Sequence, residues 1–155
     1  MSLLNSLKLW FSPPKLTDPD FGPMTFMYLD QHPERSYWEA EWLFPVTRNR
    51  VAIALAGDET GPSSTSREWY LDLPSRFPAI VELARPQLGK VFRSWRDEEL
   101  PEDIFTVVAL AGFGVEDLSA RPVRWDVSFE TINGKWLGIV IPFIDDKPQD
   151  AVVDT

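Results

Sequence analysis

Polar and apolar positions alternate most regularly in Val123–Phe143, VRWDVSFETINGKWLGIVIPF. Val123, Trp125, Val127 and Phe129 interleave with Arg124, Asp126, Ser128 and Glu130, the two-residue period of a strand with one buried face. Leu137, Ile139, Ile141 and Phe143 repeat that period after Asn133-Gly134. A two-residue Asn-Gly turn would put the two apolar sets on opposite faces, because a one-residue slip inverts every side chain. A three-residue loop, Ile132-Asn133-Gly134, with Gly134 in the left-handed region, keeps them together. It pairs Phe129 with Leu137, Val127 with Ile139, Trp125 with Ile141 and Val123 with Phe143.

The same period marks strands at Met24–Leu29, Tyr37–Phe44 and Arg50–Ala56, joined by short connections that imply an antiparallel meander. Gly57–Ser66 is polar and reads as a mobile loop, with Thr65 and Glu68 spaced as a capping box for a short helical turn through Trp69. From Ser75 to Trp95 the period becomes helical. Phe77, Ile80, Val81, Ala84, Leu88, Val91, Phe92 and Trp95 form one stripe that keeps its phase across Pro86, predicting a kinked helix or two helices nearly in line. Phe105–Val115 alternates again but is apolar on both faces through Val108 and Leu110, as in a central strand.

The order predicts an α+β fold, β-β-β-α-β-β-β, with about six antiparallel strands and a Pro-kinked helix on one face. We divide the chain into an N-terminal amphipathic segment (1–17), a single α+β domain (18–144) and a frayed acidic tail (145–155). In the first segment Leu3, Leu4, Leu7, Trp10 and Phe11 share a helical face. It lacks a signal-peptide cleavage pattern and is too short to span a bilayer. Docking on its own core or on a twin subunit, as a homodimer, is expected ahead of a membrane anchor, which the shortage of Lys and Arg on its polar face disfavours.

Composition narrows the chemistry. With no Cys among 155 residues, disulfides, thiolate nucleophiles and Cys-ligated metals are excluded, in keeping with a cytoplasmic location. The net charge of −9 argues against a nucleic-acid binder and suits a basic protein partner. His32 is the single histidine, which excludes multi-histidine metal sites; we read it as an exposed turn residue. Gly112-Phe113-Gly114 lacks the third glycine and the following helix of a phosphate-binding loop. Neither a cofactor, a metal nor a catalytic set is expected.

Asp97, Glu98, Glu99, Glu102 and Asp103 lie within seven residues with no Lys or Arg among them, and are the first candidate surface for a cation-bearing partner. Glu39, Glu41 and Trp136, on the outer faces of the predicted strands, are the second. Alternatives are a carboxylate-based enzyme or small-molecule binder in a helix–sheet cleft, and a self-associating structural module.

Asp18-x-x-Phe21-Gly22 before a strand, the Trp-centred Tyr37-Trp38-Glu39-Ala40 and the closing Asn133-Gly134-Lys135-Trp136-Leu137-Gly138-Ile139 together resemble a group of small bacterial domains of unknown function. Some members are described as immunity-protein-like. Ala40 stands where such domains usually carry glycine. The resemblance implies a non-catalytic binder, such as one neutralising a basic toxin, and carries over no catalytic residue.

Overall fold

A computed structural model describes residues 3–155. After helix α1 (Leu3–Phe11) come strands β1 (Lys15–Asp18), β2 (Gly22–Met27), β3 (Tyr37–Leu43), β4 (Arg50–Asp58) and β5 (Gly61–Pro62). Helix α2 (Ser64–Arg96) crosses to β6 (Val108–Val115), β7 (Arg124–Thr131), β8 (Gly138–Ile144), β9 (Lys147–Pro148) and β10 (Val152–Asp154). The fold is α+β: a mixed, mostly antiparallel sheet of about ten strands with one long helix packed against it.

The sheet runs β1-β2-β3-β4-β6-β7-β8-β10, with β5 beside β4 and β9 beside β8. Each neighbouring pair is antiparallel except β4 and β6, which run parallel with Ala52 opposite Gly112. The sequence led us to expect six antiparallel strands. A parallel neighbour needs a long crossover, and α2 supplies one. β1, β5, β9 and β10 add strands that are too short to show a period, and β5, paired with the end of β4, lies in the stretch expected to be a mobile loop. β9 and β10 pair with β8, so the segment after Ile144 is part of the sheet and not a frayed tail.

One sheet face is the core. Met24, Phe26, Trp38, Trp42, Val51, Ile53, Leu55, Val108, Leu110, Phe113, Trp125, Val127, Phe129, Ile139, Ile141 and Phe143 are all buried beneath α2. α2 answers with Tyr70, Leu73, Phe77, Ile80, Val81, Ala84, Leu88, Val91 and Phe92. It begins at Ser64, about three turns before the expected start at Ser75. Ser63 is the cap, its hydroxyl accepting from the Ser66 N–H at 3.2 Å, in place of the Thr65–Glu68 box. The helix is continuous through Pro74, Pro78 and Pro86. Pro78 and Pro86 lie on its solvent side, where water can serve the carbonyls they leave unpaired. Trp95 is half exposed, not core, with the Lys135 ammonium 5.9 Å from its ring centre.

Three local differences follow from side-chain chemistry. In the β7–β8 hairpin Phe129 pairs with Ile139, Val127 with Ile141 and Trp125 with Phe143, two residues beyond the expected register. The loop spans Ile132–Trp136 because Thr131 closes it, accepting from the Leu137 N–H at 2.8 Å and donating to the Lys135 carbonyl at 3.0 Å. Gly134 has φ 71°, as expected. In β6 a bulge between Leu110 and Gly112 puts Val108, Leu110 and Phe113 on the core face, while Phe105 falls in a short 3-10 turn, Ile104–Thr106.

Of the two dockings expected for the N-terminal segment, on its own core or on a twin subunit, the apolar arc of α1 does not make the first. α2 already fills the core face, and α1 finds only the margin near Tyr28. There Ser6 Oγ lies 3.3 Å from the Tyr28 hydroxyl and Leu9 is partly buried. Leu3, Leu4, Leu7, Trp10 and Phe11 point away, 45–82 % exposed.

Candidate functional site

The face of the sheet opposite α2 carries no covering element among the described residues. Alternation places Glu39 and Glu41 of β3, Arg50, Ala52 and Ala54 of β4, and Arg124, Asp126, Ser128 and Glu130 of β7 there. The floor is low where three strands meet. A side chain at Gly112 would sit 2.6 Å from the Ala52 carbonyl oxygen, and one at Gly114 would sit 3.1 Å from Asp126 Oδ2. Glycine in β6 thus permits the close parallel junction and leaves room for the Asp126 carboxylate.

Two hollows open on this face. One, about 450 Å³, is lined by Pro23, Thr25, Glu39, Glu41, Arg50 and Ala52. The other, about 380 Å³, includes Glu116, Arg124, Asp126, Val140, Pro142 and Gln149. Burial, with a smaller contribution from the neighbouring Glu116 charge, raises the Asp126 pKa above the ordinary carboxylate range. Tyr70 reaches up from α2 and donates to the Ala54 carbonyl at 2.8 Å; burial pushes its phenol well above the usual range.

Glu39 and Glu41 are exposed beside the first hollow. Trp136 is on the same face, half exposed, its Nε1 3.4 Å from Glu130 Oε2 and its ring over Gly138. β4, β6 and β7 intervene, so Glu39 and Glu41 do not meet Trp136 in one patch.

The Asp97–Asp103 stretch lies at the end of α2. Asp97 is the helix C-cap at φ 52°, and its backbone N–H returns to the Phe92 carbonyl. Arg93 pairs with Glu99 at 3.7 Å and Arg96 with Glu98 at 3.5 Å. Asp103 caps the 3-10 turn, accepting from the Phe105 N–H at 3.0 Å, and Glu102 is exposed. The last turn of α2 therefore brings in the cations that the seven-residue stretch itself lacks, and the local field is weaker than the sequence suggests.

The Asp18-x-x-Phe21-Gly22 motif is architectural. Asp18 is buried, accepts from the Asp20 and Phe21 N–H groups at 2.8 and 3.1 Å, and holds Arg67, which also pairs with Asp20. The Arg67 guanidinium stacks 5.3 Å from the Phe21 ring centre.

Comparisons with protein-family models, with curated proteins and with solved structures return no match.

Among the described residues no group of three or more His, Asp or Glu could hold a metal ion, and no helix is long and apolar enough to cross a membrane. His32 is exposed, 3.4 Å from Glu34. The residues that the sequence analysis missed are Arg50, Glu116, Arg124 and Asp126. Arg124 and Asp126 stand at the polar positions of the clearest strand pattern. What stayed hidden was the hollow, which Glu116 after β6, the polar side of β7, the outer side of β8 and Gln149 line together.

Proposed function

We propose that this chain is a non-catalytic protein-binding domain whose open sheet face receives a basic segment of a partner. The observation that carries this reading is a sheet face left uncovered, low-floored at Ala52, Gly112 and Gly114, and bordered by more carboxylates than cations. Glu39, Glu41, Glu116, Asp126, Glu130 and Asp154 outnumber Lys15, Arg50, Arg124 and Lys147 there. Such a face offers contact area at its small-residue floor and steers a cationic partner toward it. Neutralising a basic toxin, as immunity proteins do, is one use for an interface of this kind. The Asp97–Asp103 surface takes second place because Arg93 and Arg96 offset it.

The test compares two charge reversals on a basic partner captured from the native cell. Glu39→Lys with Glu41→Lys should slow association at low salt by about tenfold or more, and the loss should shrink as salt rises. Glu98→Lys with Glu99→Lys should change the rate by less than about threefold. The opposite ranking would move the interface to the end of α2. Equal rates for both variants and wild type would remove both surfaces.

A further inference from the structure

We propose that α1 is a self-association element, pairing across a two-fold axis with α1 of a second copy of this chain. At 100° per residue Leu3, Leu4, Leu7, Trp10 and Phe11 cover an arc of about 120°, centred about 130° round the helix from the side that Ser6 and Leu9 turn toward the body. The helix is therefore amphipathic with its apolar arc outward, and the arc is not satisfied by its own chain.

Three observations select a second copy as the occupant. Leu4, Leu7 and Phe11 are spaced three and four residues apart, with Leu3 and Trp10 flanking them, so the stripe fits its own image in a helix pair. Residues 1–17 contain Lys8 and Lys15 and no acid, in a chain of net charge −9. This is where two acidic chains approach with least repulsion. Five side chains of this size also present on the order of 500 Å² per protomer, so a symmetric pair reaches the roughly 1,000 Å² that a specific interface needs. A lipid surface fits less well. Lys8 is the single charge of α1, and the acidic body would be repelled by anionic headgroups.

Sedimentation equilibrium of the full chain tests the proposal. Wild type should approach the mass of two chains, and raising salt from about 20 to 300 mM should strengthen association by screening the charge of the bodies. Leu4→Glu with Leu7→Glu should weaken it by at least about tenfold while leaving the far-ultraviolet spectrum unchanged, since both leucines are exposed. A second measurement uses the absence of Cys: Leu7→Cys under mild oxidation should give a disulfide-linked pair of chains, whereas Leu83→Cys on α2 should not. The proposal is overturned by the mass of one chain for wild type at every concentration and salt, by a dimer that survives the double substitution, or by no cross-link at Leu7→Cys. Single-chain mass in solution with co-sedimentation on phosphatidylcholine vesicles would assign the arc to lipid instead.

Discussion

Trp125 gathers several interactions in one side chain. It is 4 % exposed, stacks on Phe143 at 4.3 Å between ring centres, lies 5.7 Å from Trp69, and donates its indole N–H to the Asp145 carbonyl at 2.6 Å. Trp125→Ala should cost about 3–5 kcal/mol in urea unfolding, the range for truncating a buried large aromatic. Trp125→Phe should cost less, since it keeps the stacking and loses mainly the hydrogen bond. Asp126, the next residue, works against the fold at neutral pH. Its folded pKa is raised, so its ionised form is disfavoured in the fold. The penalty is fully present above the folded pKa. It is relieved as pH falls through that value toward the unfolded pKa near 3.8. Asp126→Asn should therefore raise the melting temperature at neutral pH, and the gain should fade as the solution is acidified through the carboxylate range. A gain that stayed constant with pH would mean that burial of the charge is not its source.

At the scale of elements, the hairpin shows what a sequence pattern can and cannot specify. Alternation fixes which residues share a face, and Trp125, Val127, Phe129, Ile139, Ile141 and Phe143 do share the core face. Parity leaves the register free to move by two, however, and Thr131 decides it by closing a longer loop with its hydroxyl. Thr131→Val, which keeps the volume, should cost about 1–3 kcal/mol because the buried Leu137 N–H loses its acceptor. Faster hydrogen exchange at Leu137 would report the same loss. The Asp18–Arg67 tie offers a second test. Asp18→Ala removes two turn hydrogen bonds and a buried carboxylate partner of Arg67, and denaturant titration should show a loss of about 2–3 kcal/mol. The three main strands of the meander and the phase of the helical stripe were legible because each buries many residues at a fixed period, and the central placement of β6 was legible because it is apolar on both faces, although its bulge breaks the period. The early start of α2 was not: the short turn expected through Trp69 is its first part, and Tyr70 and Leu73 carry the buried stripe on to Ser75. Nor were β1, β5, β9 and β10, which are held mainly by the strands beside them. Glu39 and Glu41 were legible as a polar face by alternation. The Asp97–Asp103 stretch was legible as acid but not as paired acid, since Arg93 and Arg96 meet it across a helix cap.

The whole molecule consists of two antiparallel groups of strands, β1 to β5 and β6 to β10, joined at the parallel β4–β6 contact. Backbone pairing there is sparse, with the single register position Ala52–Gly112. Side chains supply the rest. Asn49 Nδ2 donates across the junction to the Leu110 carbonyl at 2.8 Å. Phe77 of α2 lies 5.0 Å from Phe44 of the first group and 6.2 Å from Phe113 of the second, while Phe44 and Phe113 are 5.3 Å apart. Tyr70 and Trp69, adjacent in α2, face Phe21 and Trp125 respectively. Because α2 packs on both groups through aromatic side chains, neither can unfold without stripping the helix from the other. Wild type should therefore melt in one transition. Phenylalanine-substituted variants that retain only Trp42 or only Trp125 as fluorophore should each lose their fluorescence signal at the same denaturant concentration as their own far-ultraviolet signal. Phe77→Ala should cost about 3–5 kcal/mol and should separate the two reporters if the aromatic contact is what couples the groups. Two resolved transitions in the wild type would show that the parallel junction and α2 do not bind the sheet into one cooperative unit.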